Sequence, residues 1–190
     1  MSWFDRPAPS RRFAVLALGL AAVVASGCTV RPLYSDAALP AGTAFEGETV
    51  KSALASIDIR QPTNRVELEV RNHLIFLLRG DGSTPATPKY TLEQSVSAVS
   101  TASAIVQVTK EREPTSAIVT VTSVYRLKDT ATGKLIASGK RAISSSYDIP
   151  QQEFAALRAQ RDAQNRAARE LAELLRIAIA QDLERLPPAS

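Results

Sequence analysis

Residues 151–186 contain neither glycine nor proline, and no other stretch of the sequence narrows the fold as much. The run is rich in Ala, Leu, Arg, Glu and Gln, all strong helix formers. Pro150 precedes it, where proline suits a first helical turn. Glu153 is placed to meet the partial positive charge of a helix N-terminus, and Pro187-Pro188 stops the run. At about 1.5 Å per residue such a helix spans roughly 50 Å. Leu171, Leu174, Leu175, Ala178, Ile179 and Leu183 form a stripe for a core. From Arg158 to Glu170 the only apolar residues are alanines, so this half is either thinly packed or rests on a partner.

A helix of that kind needs a surface to cover, and the middle of the chain supplies strands. Tyr90, Leu92, Val96 and Ala98 alternate with Thr91, Glu93, Ser95 and Ser97, the period of a half-buried strand. This strand is expected to continue, with a bulge, to Val108. Lys110-Glu111-Arg112-Glu113-Pro114 is a charged turn. Val119, Val121, Tyr125 and Leu127 then alternate with Thr120, Thr122 and Arg126. After a turn over Asp129–Gly133, Leu135, Ala137 and Ile143 carry the apolar face into a strand reaching about Ile149. Three long strands joined in sequence form an antiparallel meander.

Upstream, Ile57 and Ile59 mark a short strand within 55–60. Asn64 with Glu67 three residues on has the form of a capping box. Val66, Val70, Leu74, Leu77 and Leu78 follow at helical spacing, and Arg79-Gly80 makes a C-terminal stop. The spacing predicts a helix over 65–79. The order strand, helix, three strands, long helix implies an α+β fold. It is a two-layer sandwich: a mostly antiparallel four-stranded sheet with two helices packed on one face.

The N-terminus reads as a secretory signal. Arg6, Arg11 and Arg12 precede Phe13–Ala25, an apolar run of 13 residues, too short for a membrane-spanning helix, which needs about 20. Ala25, Ser26 and Gly27 then lead directly into Cys28, the only cysteine. The pattern resembles the lipobox of bacterial lipoproteins, with Ala25 where Leu is commonest. Residues 1–27 are thus expected to be a signal peptide and Cys28 the lipid attachment site. Residues 28–54 form a tether and 55–190 the folded domain. Several acyl chains anchor stably where one does so only marginally. Thr29, rather than Asp, after the cysteine favours the outer membrane by resemblance to the lipoprotein sorting rule.

Composition excludes much chemistry. Losing Arg6, Arg11, Arg12 and Asp5 with the signal lowers the net charge from +4 to about +2, which gives no support to nucleic-acid binding. With Cys28 acylated, neither a disulfide nor a free thiol remains. His73, the one histidine, lies inside the predicted helix and reads as a structural, partly exposed residue. Glu67 and Glu69, and Glu111 and Glu113, are two apart, which on a helix points them to different sides; they read as solvated charges. No metal-ligand cluster, phosphate loop or cofactor motif is visible, and the chain is not expected to be an enzyme.

Cys28 followed by x-x-Arg31-Pro32-Leu33-Tyr34 resembles the start of the LPS-assembly lipoprotein family (LptE), in its divergent form outside the enteric bacteria. The Arg65-Val66-x-Leu68 helix ending at Gly80, the Tyr90-x-Leu92, Val121–Leu127 and Gly139–Tyr147 strands and the Ala-rich terminal helix fit the same order. The resemblance implies a non-enzymatic outer-membrane lipoprotein, anchored on the periplasmic side. It would bind lipopolysaccharide and assist assembly and plugging of the LptD β-barrel that delivers lipopolysaccharide to the cell surface. The alternative is a scaffold lipoprotein of a different outer-membrane assembly complex.

Strand parity offers contacts for such a ligand. If Val119, Val121, Tyr125, Leu127, Leu135, Ala137 and Ile143 face the helices, Arg126, Lys128, Lys134 and Lys140 lie on the open side of one hairpin. Such cations can take phosphates through charge-assisted hydrogen bonds. An ordinary solvated strand face, kept from edge pairing by lysines, is the competing account.

Overall fold

The computed structural model describes residues 49–80, 82–104 and 115–185. Cys28, Arg31, Pro32, Leu33 and Tyr34, the end of the predicted strand at 105–108 and the charged turn at 110–114 lie outside the described residues. In chain order the elements are α1 (Val50–Ala55), β1 (Ile57–Ile59), α2 (Arg65–Arg79), β2 (Tyr90–Ala104), β3 (Ser116–Asp129), β4 (Leu135–Asp148) and α3 (Glu153–Glu184).

The start of α2 follows from side chains at its first turn. Asn64 is extended, and its Oδ1 accepts from the Glu67 N–H at 2.9 Å. The Glu67 carboxylate reaches back past the cap, accepting from the Thr63 N–H at 3.0 Å and the Thr63 hydroxyl at 2.7 Å. Glu67 is therefore buried, at 2% exposure, where its spacing from Glu69 suggested a solvated charge. At the other end Gly80 adopts φ 86°, a left-handed value that glycine takes without penalty, and its N–H bonds the Phe76 carbonyl at 2.7 Å.

The sheet order is β1-β2-β3-β4. The β2–β3 and β3–β4 pairs are antiparallel, the expected meander. β1 runs parallel to β2, because α2 carries the chain back along the sheet between them. The fold is thus α+β with a mixed, mostly antiparallel sheet. α2 lies over β1 and β2, and α3 over β3 and β4. Tyr90, Leu92, Val96, Val119, Val121, Tyr125 and Leu127 are buried beneath them, on the face their alternation assigned.

Three further features depart from the sequence reading. Residues 50–55, assigned to the tether and the strand start, form α1, which packs Val50, Ala53 and Leu54 against the two longer helices. Its cap is reciprocal: Thr49 Oγ1 accepts from the Ser52 N–H and Ser52 Oγ from the Thr49 N–H, both at 3.1 Å. Second, the alanine half of α3 is core: Ala163, Ala167 and Ala168 have 0% exposure. A methyl side chain lets a helix backbone settle close to its neighbours. Third, the β3–β4 register shifts between Leu127 and Lys128, so Leu127 pairs with Ala137 but Lys128 with Leu135. That bulge puts Leu135 opposite Lys128, half-exposed on the open face, instead of with the core.

Within the core Tyr125 donates its hydroxyl to Asp182 Oδ2 at 2.7 Å, tying β3 to the last turns of α3. The hydroxyl is pushed up to about 12, first by burial and then by the carboxylate it faces. An ordinary tyrosine releases its proton near 10. Between these values the folded state keeps a proton that the unfolded chain loses, so stability falls as pH rises from about 10 to about 12. Tyr125→Phe is expected to remove that part of the alkaline slope. Urea denaturation at stepped pH is the check, and an unchanged slope in the variant would assign it to other groups.

Candidate functional site: the open face of the sheet

The face away from the helices is built by the even residues of β3 and their cross-strand partners. Across its middle the side chains are short: Ser95, Ser97, Thr120, Thr122, Ala142 and Ser144, with Thr120 and Ser144 hydroxyls 2.8 Å apart. Val99, Ile118 and Val124 stand exposed among them. The cations gather at the end nearest the β3–β4 turn.

The structure brings the four predicted cations to this end but does not treat them alike. Arg126 and Lys128 project from β3. Lys140, on β4, pairs with Val124, one step from the Arg126–Ser138 pair, so Arg126 and Lys140 are diagonal neighbours. Lys134 lies in the turn just before β4, held by its backbone: its carbonyl accepts from the Asp129 N–H at 2.9 Å. Asp129 Oδ1 accepts from the N–H and hydroxyl of Thr132, both at 2.7 Å. Those two bonds hold its carboxyl below the usual carboxylate range.

Sequence reasoning missed Glu93. It projects from β2 opposite Arg126 in the register and takes Lys128 Nζ at 2.7 Å and Arg60 Nη1 at 3.3 Å. The Lys128 hydrogen bond, with the nearby cations, holds the Glu93 carboxyl below its ordinary value. Among the described residues Arg126, Lys134 and Lys140 form no ion pair. Arg126 and Lys140, diagonal neighbours on the open face, can therefore take an anion between them, with Lys128 already engaged; Lys134, expected on the same face, lies opposite Asp129 beyond the bulge, which reverses the parity that placed it there. Alternation in β2 had placed Glu93 on this face, which was the available signal; what alternation lacks is the register.

His73 is partly exposed on α2, its Nε2 3.9 Å from Glu69. Asp162 and Arg166 pair one turn apart on α3, and Arg166 also donates to the Ser146 carbonyl at 2.9 Å. Arg158, Arg161 and Arg169 are exposed. Among the described residues no three His, Cys, Asp or Glu side chains cluster as metal ligands. No described helix is long and apolar enough to cross a membrane.

Comparison with known proteins gives the fold a context. The crystal structure of a candidate lipoprotein from Caulobacter crescentus CB15 is similar at a TM-score of 0.59 and 25% identity, covering 72% of this chain and 96% of that one. A minor lipoprotein from Acinetobacter baumannii shares the fold at a TM-score of 0.50 and 15% identity, covering 70% and 96%. A search of curated protein sequences gives no match. The family model described as LptE, lipopolysaccharide-assembly, matches residues 53–179, from α1 through most of α3. The chain belongs to the LptE family of lipopolysaccharide-assembly proteins.

Proposed function

We propose that this chain is the lipid-anchored partner of the LptD β-barrel in the outer membrane. It binds lipopolysaccharide and assists assembly and plugging of that barrel. The observation that carries this reading is the family match over residues 53–179. The open-face cations give it a contact: Arg126 and Lys140 take lipid A or inner-core phosphates, while Lys128 shapes the site through Glu93. Cys28, acylated after removal of residues 1–27, holds the domain on the periplasmic side, with residues 31–34 next to the anchor. The role is one of binding and positioning and needs no covalent step.

The contact is tested by Arg126→Glu combined with Lys140→Glu. Reversing both cations is expected to weaken binding of purified lipopolysaccharide at least about tenfold, equivalent to about 1.4 kcal/mol. The far-ultraviolet spectrum and thermal midpoint should stay near wild type, because both side chains are exposed. Lys128→Ala should have a smaller effect. Undiminished binding by the double variant would remove these cations from the site. The partnership is tested by recovery of the barrel with the full-length lipoprotein from detergent-solubilised outer membranes.

A further inference from the structure

Beyond the Arg126–Lys140 pair the open face changes character. Lys140 shares its row with Val124 on β3 and Ser95 on β2. The next three rows across β2, β3 and β4 are centred on Thr122, Thr120 and Ile118, and no side chain in them is charged. The solvated face of an antiparallel sheet is ordinarily polar. Here it carries apolar side chains instead. Val99 is 62% exposed, and it is a diagonal neighbour of Ile118, because Val99 pairs with Thr120 and Ile118 with Thr101. Val124 stands exposed at the other end of the strip, beside Lys140.

The strip has the length and the relief of a seat for hydrocarbon. From Val124 to Ile118 is six residues along β3, about 20 Å at the rise of a strand. That exceeds half of a bilayer's hydrocarbon core, about 15 Å, the span of one leaflet's acyl chains. Ser97 and Ala142, flanking Thr122, are short enough for a chain to lie close to the sheet. In the next row the Thr120 and Ser144 hydroxyls, 2.8 Å apart, bond each other. A sugar would need such hydroxyls free to pair, so the centre of the strip favours hydrocarbon over saccharide.

Read from the turn end, the order along β3 is that of an amphiphile: cations that take a phosphate, then an uncharged strip with exposed methyl groups. Resting on the function proposed above, we infer that the acyl chains of the lipopolysaccharide whose phosphate is held by Arg126 and Lys140 lie along the open face of β3, from Val124 past Thr120 to Val99 and Ile118. Covering those three apolar side chains removes their surface from water, which supplies the affinity. The phosphate contact fixes the end from which the chains run.

The test uses two probes on the full-length lipoprotein in phospholipid nanodiscs, with uptake by empty nanodiscs subtracted. One is intact lipopolysaccharide; the other is the same molecule stripped of its acyl chains by alkali, its phosphates kept. Wild type should bind the intact probe at least about tenfold more tightly than the stripped one. Val99→Thr, Ile118→Thr and Val124→Thr combined keep β-branched side chains at exposed strand positions. The triple variant should bind the intact probe about fivefold more weakly and the stripped probe as wild type does. Arg126→Glu with Lys140→Glu should weaken both. If the triple variant fails to fold, Val99→Thr alone and the two probes on the wild-type chain still decide. Equal wild-type affinity for the two probes would overturn the acyl seat and leave the proposed function standing, as would full affinity of the folded triple variant for the intact probe. A triple variant that loses both probes alike would put saccharide on the strip and overturn the proposal. Wild type that binds neither probe would overturn the proposed function with it.

Discussion

Ala167→Glu is expected to lower the free energy of unfolding by about 3–5 kcal/mol, the scale for an unpaired charge enclosed in a core. Ala167 has 0% exposure, and Ala163 and Leu171, one turn away on either side along α3, are equally enclosed. A carboxylate there would be enclosed among apolar side chains, and its extra volume would lift the helix from its neighbours. A nearby exposed position is the internal control: Arg169→Gln should change stability by less than about 0.5 kcal/mol. Urea denaturation of both variants measures the difference. This is the sharpest consequence of finding the alanine half of α3 inside the core, because a helix face left to solvent or to a polar lumen would accept glutamate. A cost below about 1 kcal/mol would show that this half is not packed as described.

The second large effect is at Gly139. It pairs with Tyr125 across β3 and β4, and the tyrosine ring lies over it. A Cβ at 139 would stand 2.7 Å from the Tyr125 hydroxyl oxygen and 2.8 Å from two ring carbons. Something must shift, and the ring cannot move without disturbing its bond to Asp182. Gly139→Ala is expected to cost about 1–3 kcal/mol, the usual scale of overpacking. The cause is checked by a double-mutant cycle: in a Tyr125→Leu background the same change should cost much less. Equal costs in the two backgrounds would place the effect in the strand backbone.

How much of this was legible in the sequence depended on the scale of each feature. The faces of β2 and β3 were readable because period-two alternation persists over many residues. Both ends of α2 were readable because Asn64 and Gly80 act through their own chemistry. α1 was not, since six residues hold too few turns for periodicity to show. The alanine half of α3 was ambiguous because alanine suits a buried and an exposed helix face equally. The bulge at Leu127/Lys128 is a backbone event, and alternation carried across it put Leu135 on the wrong side. Of the candidate site, the cations could be named but not the neutralisation of Lys128. Glu93 meets Lys128 only through the β2–β3 register. Those strands are joined by too long a segment for turn geometry to set that register from sequence.

The sheet order, β1-β2-β3-β4, is also the order along the chain, and α3 comes last. A chain delivered N-terminus first can therefore add each strand to a finished edge without threading anything past it. The same ordering creates an interval of exposure. Once Asp148 has emerged, Val119, Val121, Tyr125 and Leu127 have their strand neighbours but not the helix that covers them. That apolar surface stays bare until Leu171, Leu175, Ile179 and Leu183 arrive, near the C-terminus. An interruption late in synthesis or export would strand a half-built meander with one sticky side, so the need for a chaperone is greatest while α3 is still to come.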